Sequence, residues 1–139
     1  MSHTHDQIVL VSACLTGLCT RYDGRANPSP ACMKRLAGYG WIPVCPEQLG
    51  GLPTPRTAAD LVEGDGYDVL AGRASVIDRQ GDNVTNQFIQ GARQCLAIVR
   101  ARKITTALLK ARSPSCGLTP NIGVTAALLQ KNGIQVIEF

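Results

Sequence analysis

A chain of 139 residues has the length of one domain with one proper core. Hydrophobic residues at 45% and charged residues at 17% exclude a disordered chain, and no stretch approaches the roughly 18 consecutive apolar residues of a membrane span. The net charge of +4 suits an anionic or nucleotide-like ligand, but without a Lys/Arg run or a basic helix it marks no nucleic-acid surface.

Residues 1–7 carry neither a basic leader nor a signal-peptide core, so a cytoplasmic protein is expected. His3 and His5 are read as part of a flexible polar end. Residues 8–13 are an apolar strand that runs straight into Cys14, followed by a turn-rich loop with Gly17 and Gly24. Asn27-Pro-Ser-Pro30 reads as a turn and cap for a short helix over 31–38, closed by Gly38 and Gly40. Residues 41–44 return as a second strand that runs into Cys45. The segment from Cys45 to Arg56 holds three prolines and two glycines and is expected as a long binding or catalytic loop. Residues 57–62 carry too little pattern to assign. A short strand over 74–78 and a turn at 80–83 lead to Thr85, read as the N-cap of the longest helix. Phe88, Ile89, Ala92, Leu96 and Val99 recur there at helical spacing through Arg102. Residues 104–109 form a buried strand that ends in Ser113-Pro-Ser-Cys-Gly117, and a helix over 123–133 precedes a last strand over 134–138. Strands alternating with helices predict one domain over 1–139, a small three-layer α/β sandwich with a parallel, Rossmann-like sheet.

Three cysteines, Cys14, Cys45 and Cys116, thus follow strands and sit beside Gly, Pro or Ser. Adjacent parallel strands lie about 4.8 Å apart with their carboxyl ends on one edge, so loops leaving three of them can converge. Thiolates gathered there suit a metal ion or an iron–sulfur cluster. In a reducing compartment the six cysteines point to ligands or catalysis before disulfides, and no C-x-x-C pair supports a zinc ribbon or a thioredoxin-like site. Isolated buried cysteines otherwise act as small apolar residues, the reading for Cys32 and Cys95 on helices. Cys19 is a fourth ligand, a resolving thiol or an ordinary loop residue. Glu47, two residues past Cys45, is the carboxylate best placed to trade protons there. Ser113 and Ser115 either donate hydrogen bonds at the site or only shape the turn at Pro114. Arg21, Arg56 and Arg112 are candidates to orient a polar substrate, against the ordinary fate of a surface arginine.

Five motifs in order carry a resemblance. They are Val11-Ser-Ala-Cys-Leu-Thr-Gly17 with Arg21-Tyr-Asp-Gly24, Cys45-Pro-Glu-Gln-Leu-Gly-Gly-Leu-Pro-Thr-Pro-Arg56, Asp82-Asn-Val-Thr85 with Gly91-Ala92, Lys110-Ala-Arg-Ser-Pro-Ser-Cys-Gly117, and Val124-Thr-Ala-Ala-Leu-Leu129. The chain resembles, over nearly its whole length, the small bacterial thiouracil desulfidase family, formerly a domain of unknown function. That resemblance implies a 4Fe–4S cluster held by Cys14, Cys45 and Cys116, with one iron left open to the thio-sulfur of a thiolated pyrimidine base or nucleoside. Water then replaces the sulfur without net electron transfer, giving the oxo base and hydrosulfide. Glu47 and Ser113 are the implied proton-handling residues, with Ser115, Arg112 and Arg21 beside the substrate. Two departures stand out. Thr20 precedes Arg21 where members often carry a cysteine or an apolar residue, which weakens Cys19 as a ligand. Only residues 118–122 separate Gly117 from Gly123, where members carry a longer glycine-rich loop. The shorter loop implies a more open site and room for a substrate larger than a free base.

Two other classes compete with this reading. One is a sulfur-trafficking protein that binds a cluster or zinc at the three thiols without turnover. The other is a cysteine-nucleophile enzyme using Cys116, with Ser113 and Arg112 holding an anion; it lacks a histidine partner outside the N-terminal end.

Overall fold

The computed structural model describes residues 7–139; the expectation of a frayed end, with His3 and His5, falls almost wholly outside them. The described chain runs β1 (Ile8–Ser12), a 3-10 turn (Ala13–Thr16), α1 (Pro30–Leu36), β2 (Gly40–Val44), α2 (Pro46–Leu49), β3 (Ala59–Val62) and α3 (Gly66–Leu70). It continues through β4 (Ser75–Asp78), α4 (Thr85–Arg102), β5 (Thr106–Leu109), α5 (Val124–Lys131) and β6 (Gln135–Glu138).

The two-residue period of β1 sends Val9 and Val11 to one face and Leu10 to the other. Val9 and Val11, with Leu108, pack on Cys32 and Leu36 of α1. Leu10, with Ala107, Leu109 and Val136, packs on Cys95, Leu96 and Val99 of α4 and on Ala126 and Leu129 of α5. Helices therefore cover both faces of one sheet, as a parallel sheet requires. Its order is β2-β1-β5-β6, and every pairing is parallel. The expected three-layer parallel α/β sandwich is the observed fold. Register sets Ser12 opposite Val44 and Leu109 opposite Glu138, so the segments after β2, β1 and β5 leave from one edge. The chain steps outward from β1 to β2 and later returns to β5 on the other side of β1. Such a reversal of direction opens a crevice at the carboxyl edge. Among the described residues no helix is long and apolar enough to cross a membrane.

Several local expectations differ from the fold. Residues 57–62, left unassigned, include β3, which pairs antiparallel with β4 to form a separate two-stranded sheet. The helix α3 has no counterpart in the sequence pattern; Asp65 and Asp68 form a reciprocal capping box at its start. The N-cap of α4 is Val84 rather than Thr85. Thr85 instead accepts a hydrogen bond from the Val76 backbone N–H on its Oγ1 (2.9 Å), which fastens α4 to β4. Strand β5 begins at Thr106 rather than residue 104, because Lys103 ends α4 in a left-handed conformation (φ 54°) and Ile104 is drawn down into the core.

The loop expected after Cys45 opens with the single-turn helix α2, whose Pro46 holds its first position with φ already set. Two glycines hold that turn in place. A Cβ on Gly50 would lie 1.9 Å from the Gln87 carbonyl oxygen, and one on Gly91 would lie 1.9 Å from the Pro46 carbonyl oxygen. Only bare backbone lets α2 press onto α4, and α2 is the element that carries Glu47 and follows Cys45.

Candidate active site

The carboxyl edge of the sheet opens into a cavity of about 470 Å³ whose lining includes Cys14, Cys45, Glu47, Arg56, Ser115 and Cys116. That volume falls within the roughly 300–1,000 Å³ of small-molecule sites. The three thiols follow three adjacent strands, β1, β2 and β5, so the convergence expected from sequence is realised in space. Cys14 and Cys116 both have raised thiol pKa values, from burial first and, to a smaller extent, from the neighbouring Cys45. Burial is the larger cause in each case: it pushes Cys14 up, and it pushes Cys116 up to about 12. Lys110, on the cavity wall, pulls Cys14 back down, and hydrogen bonds from Ser12 and Ser115 do the same for Cys116. Ser12 is itself fixed by the Lys110 backbone N–H, which donates to its Oγ (2.9 Å).

The turn after β5 is built by Ser113. Its Oγ accepts from the backbone N–H groups of Ser115 (3.2 Å) and Cys116 (3.1 Å). With both lone pairs engaged, Ser113 directs its own hydrogen to Ser115 Oγ, 2.9 Å away. Ser115 in turn donates to Glu47 Oε2 (3.0 Å), with Cys116 Sγ as the longer alternative acceptor of the same hydroxyl (3.6 Å). The result is a directed chain from Ser113 through Ser115 to Glu47. Ser113 reaches the carboxylate only through Ser115, an order that sequence spacing does not contain. Room for the turn again comes from glycine: a Cβ on Gly117 would meet the Arg112 nitrogen at 2.7 Å, and one on Gly123 the Ser115 carbonyl carbon at 2.5 Å.

The far side of Glu47 belongs to Arg56, whose Nε donates to Oε1 at 3.0 Å with only 6% of the side chain exposed. Arg56 is thus a buried part of the site rather than a rim arginine. Arg21 and Arg112 both line the cavity. Arg21 pairs with Asp23 at 3.4 Å and lies over the Tyr22 ring, while Arg112 is exposed with a left-handed backbone (φ 62°). The short segment after Gly117 also reaches the cavity, through Thr119, Pro120 and Asn121. It is tied down by Glu138, which accepts from the Leu118 backbone N–H (2.8 Å) and from Thr119 Oγ1 (2.9 Å).

The remaining cysteines separate cleanly. Cys32 and Cys95 are fully buried in the two cores, and Cys19 is exposed outside the cavity lining. Sequence reasoning missed Ser12 and Lys110. Both are ordinary-looking residues in a strand and just past one, and only the pairing of β1 with β5 shows that they meet. Among the described residues no three His, Cys, Asp or Glu side chains come together closely enough to hold one metal ion. Cys14, Cys45 and Cys116 are soft donors on one cavity wall, the donor type that an iron–sulfur cluster takes.

The family model for 2-thiouracil desulfurase matches residues 9–138, nearly the whole chain. The chain belongs to the 2-thiouracil desulfurase family. Its similarity extends to the uncharacterized protein YbbK of Bacillus subtilis (strain 168), 37% identical over 143 residues that cover 94% of this chain and 95% of YbbK. Among solved structures it is similar to the [4Fe-4S]-dependent thiouracil desulfidase TudS, with a TM-score of 0.76 and 35% identity, covering 95% of this desulfurase-family chain and 90% of the TudS chain. This membership fits the resemblance carried by the five sequence motifs.

Proposed function

We propose that the protein removes sulfur from a thiolated pyrimidine, with thiouracil as the simplest substrate, at a 4Fe–4S cluster held by Cys14, Cys45 and Cys116. The observation that carries this reading is the meeting of those three thiols with the Ser113–Ser115–Glu47 chain on the wall of one cavity. The [4Fe-4S]-dependent TudS supports the cofactor by likeness of sequence and fold. Bound there with three protein ligands, the cluster supplies a Lewis-acidic iron open to the thio-sulfur.

The reaction balances without electrons: a thione and water give a carbonyl and hydrogen sulfide, which leaves as hydrosulfide and a proton. The protein's task is then to move protons. Glu47 is the base, because the hydroxyl chain ends on its Oε2 and a proton released beside Ser115 has a carboxylate within one hydrogen bond. Ser115 hands the proton over. Ser113 holds Ser115 in line and keeps the Cys116 backbone N–H occupied. Arg21 and Arg112 stand on the cavity lining where a polar part of a substrate larger than the base would lie. The protein works on a small molecule rather than a nucleic-acid surface, in the cytoplasm.

The test is anaerobic reconstitution with iron and sulfide, followed by assay of hydrosulfide release from 2-thiouracil. Iron uptake abolished by serine at Cys14, Cys45 or Cys116, and kept with serine at Cys19, Cys32 or Cys95, is the expected pattern. A colourless protein with stoichiometric zinc, or a loaded protein that releases no sulfide, sinks the reading and leaves a binding protein for sulfur or metal.

A further inference from the structure

Arg56 spends every hydrogen it has within one site. Its Nε donates to Glu47 Oε1 (3.0 Å), and one terminal nitrogen donates to Thr54 Oγ1 (2.8 Å) and the Pro53 carbonyl (3.3 Å). The other donates to the Thr20 carbonyl (3.0 Å) and to Cys45 Sγ (3.5 Å). Five N–H donors thus meet five acceptors, a fit that the three donors of a lysine, arranged in a cone, do not reproduce. The side chain is 6% exposed and its carboxylate partner 12%. A planar cation held on five sides at this burial is a fixed part of the site, not a mobile counter-ion.

We propose that Arg56 is the positioning residue of the desulfidase site, one guanidinium that locks the Glu47 carboxylate and the Cys45 sulfur into a single rigid unit. The inference rests on the desulfidase reading and deepens it. By occupying Oε1, Arg56 leaves Oε2 as the oxygen that receives the Ser115 hydroxyl, so it decides which end of Glu47 faces the proton chain. By donating to Cys45 Sγ it places an N–H and a positive charge on one cluster ligand, and hydrogen bonds to ligand sulfurs tune the potential of an iron–sulfur cluster. It also staples the loop after α2 to the loop after β1 through Thr20, so the two strand ends that carry Cys45 and Cys14 are held together. Arg56 lines the cavity, but all of its N–H donors are committed to acceptors of the protein, so its effect is expected on turnover rather than on substrate affinity.

The experiment compares wild type, Arg56→Lys, Arg56→Gln, Glu47→Gln and the Arg56→Gln/Glu47→Gln double variant, each reconstituted and assayed for iron content, cluster reduction potential and steady-state kinetics with 2-thiouracil. Arg56→Lys keeps the charge and guards against misfolding of the glutamine variant. The expected result is a kcat about 10- to 100-fold below wild type in Arg56→Lys at unchanged KM and full iron content. The reduction potential moves to more negative values in both Arg56 variants, because an N–H···S donor is lost. In the Glu47→Gln background Arg56→Gln lowers kcat no further. An Arg56→Lys variant with wild-type kcat and potential overturns the proposal. So does a loss of kcat that only mirrors a loss of bound iron, since that is the mark of a structural residue. A wild-type protein that binds no cluster or releases no sulfide removes the desulfidase reading and this inference together, and so is told apart from failure at Arg56 alone.

Discussion

The direction of a hydrogen bond decides the order of residues at this site. Because Ser113 Oγ already accepts from two backbone N–H groups, it donates to Ser115, and Ser115 donates over the shorter of its two contacts, to Glu47 Oε2 (3.0 Å) rather than Cys116 Sγ (3.6 Å). Ser115→Ala is therefore expected to lower kcat at least as far as Ser113→Ala, about 10- to 100-fold, with iron content unchanged; measured rates of sulfide release decide the order. Exposure makes a second prediction, for the metal-free protein. Cys19 is exposed, whereas Cys95 is fully buried and burial holds its thiol far above the ordinary range, so iodoacetamide at neutral pH modifies Cys19 first and Cys95 last, as peptide mass mapping can follow. A third concerns a hydroxyl with no partner. Thr125 is fully buried in α5 and its Oγ1 has no hydrogen-bond partner among the described residues. Thr125→Val keeps the shape and removes the unsatisfied donor, which is expected to stabilise the fold by about 1 kcal/mol in urea denaturation. Cys14, Cys45, Glu47 and the serines are visible in the sequence because they sit beside turn residues at strand ends. Arg56 was visible only as one arginine among several, since nothing local shows that it folds back beneath Glu47.

At the scale of elements, the site depends on close approaches that side chains would forbid. The single turn α2 has too few residues to form alone, because fixing one helical turn is unfavourable without packing. It exists here because Gly50 and Gly91 let its backbone lie against α4. Gly91→Ala places a methyl group where the Pro46 carbonyl now sits, so α2 must lift away and carry Glu47 and Cys45 with it. The expected outcome is a loss of about 1–3 kcal/mol in stability together with reduced iron retention, read by denaturation and iron analysis on the same preparation. The same dependence explains why sequence reading took residues 45–56 for an unstructured loop. Four helical residues carry no period, and the partner that stabilises them lies about forty residues later in the chain. The long helix α4 was legible for the opposite reason: Phe88, Ala92, Leu96 and Val99 mark one face over its whole length. Its N-cap differs from the expected Thr85 because that residue spends its hydroxyl on β4 rather than on capping.

Across the whole molecule, two kinds of buried or bonded group set opposite limits on stability. Burial holds the core thiol Cys95 well above its ordinary pKa, so it stays protonated in the folded chain while it ionises in the unfolded one. Its contribution is therefore complete below the ordinary thiol pKa, about 8.5, and is lost as pH rises beyond it. Glu138 behaves in reverse. The Leu118 backbone N–H, then the Thr119 hydroxyl, hold its carboxyl below the usual range, so its contribution is present above about pH 4.3 and is lost as pH falls through the lower folded value. Urea midpoints of the metal-free protein are expected to fall on both sides, with Cys95→Ala flattening the alkaline limb and Glu138→Gln the acid one. Loosening the Glu138 tie also frees the segment 118–122 that lines the cavity. The sequence by itself determined the domain class, the alternation of strands and helices and the three strand-end thiols, because period and turn chemistry are local properties. Strand order, the meeting of Ser12 and Lys110 with the thiols, the seat of α2 on α4 and the grip of Arg56 on Glu47 were decided only by the tertiary structure. Each is a contact between segments far apart in the chain, and such contacts depend on register and backbone clearance that no local pattern records.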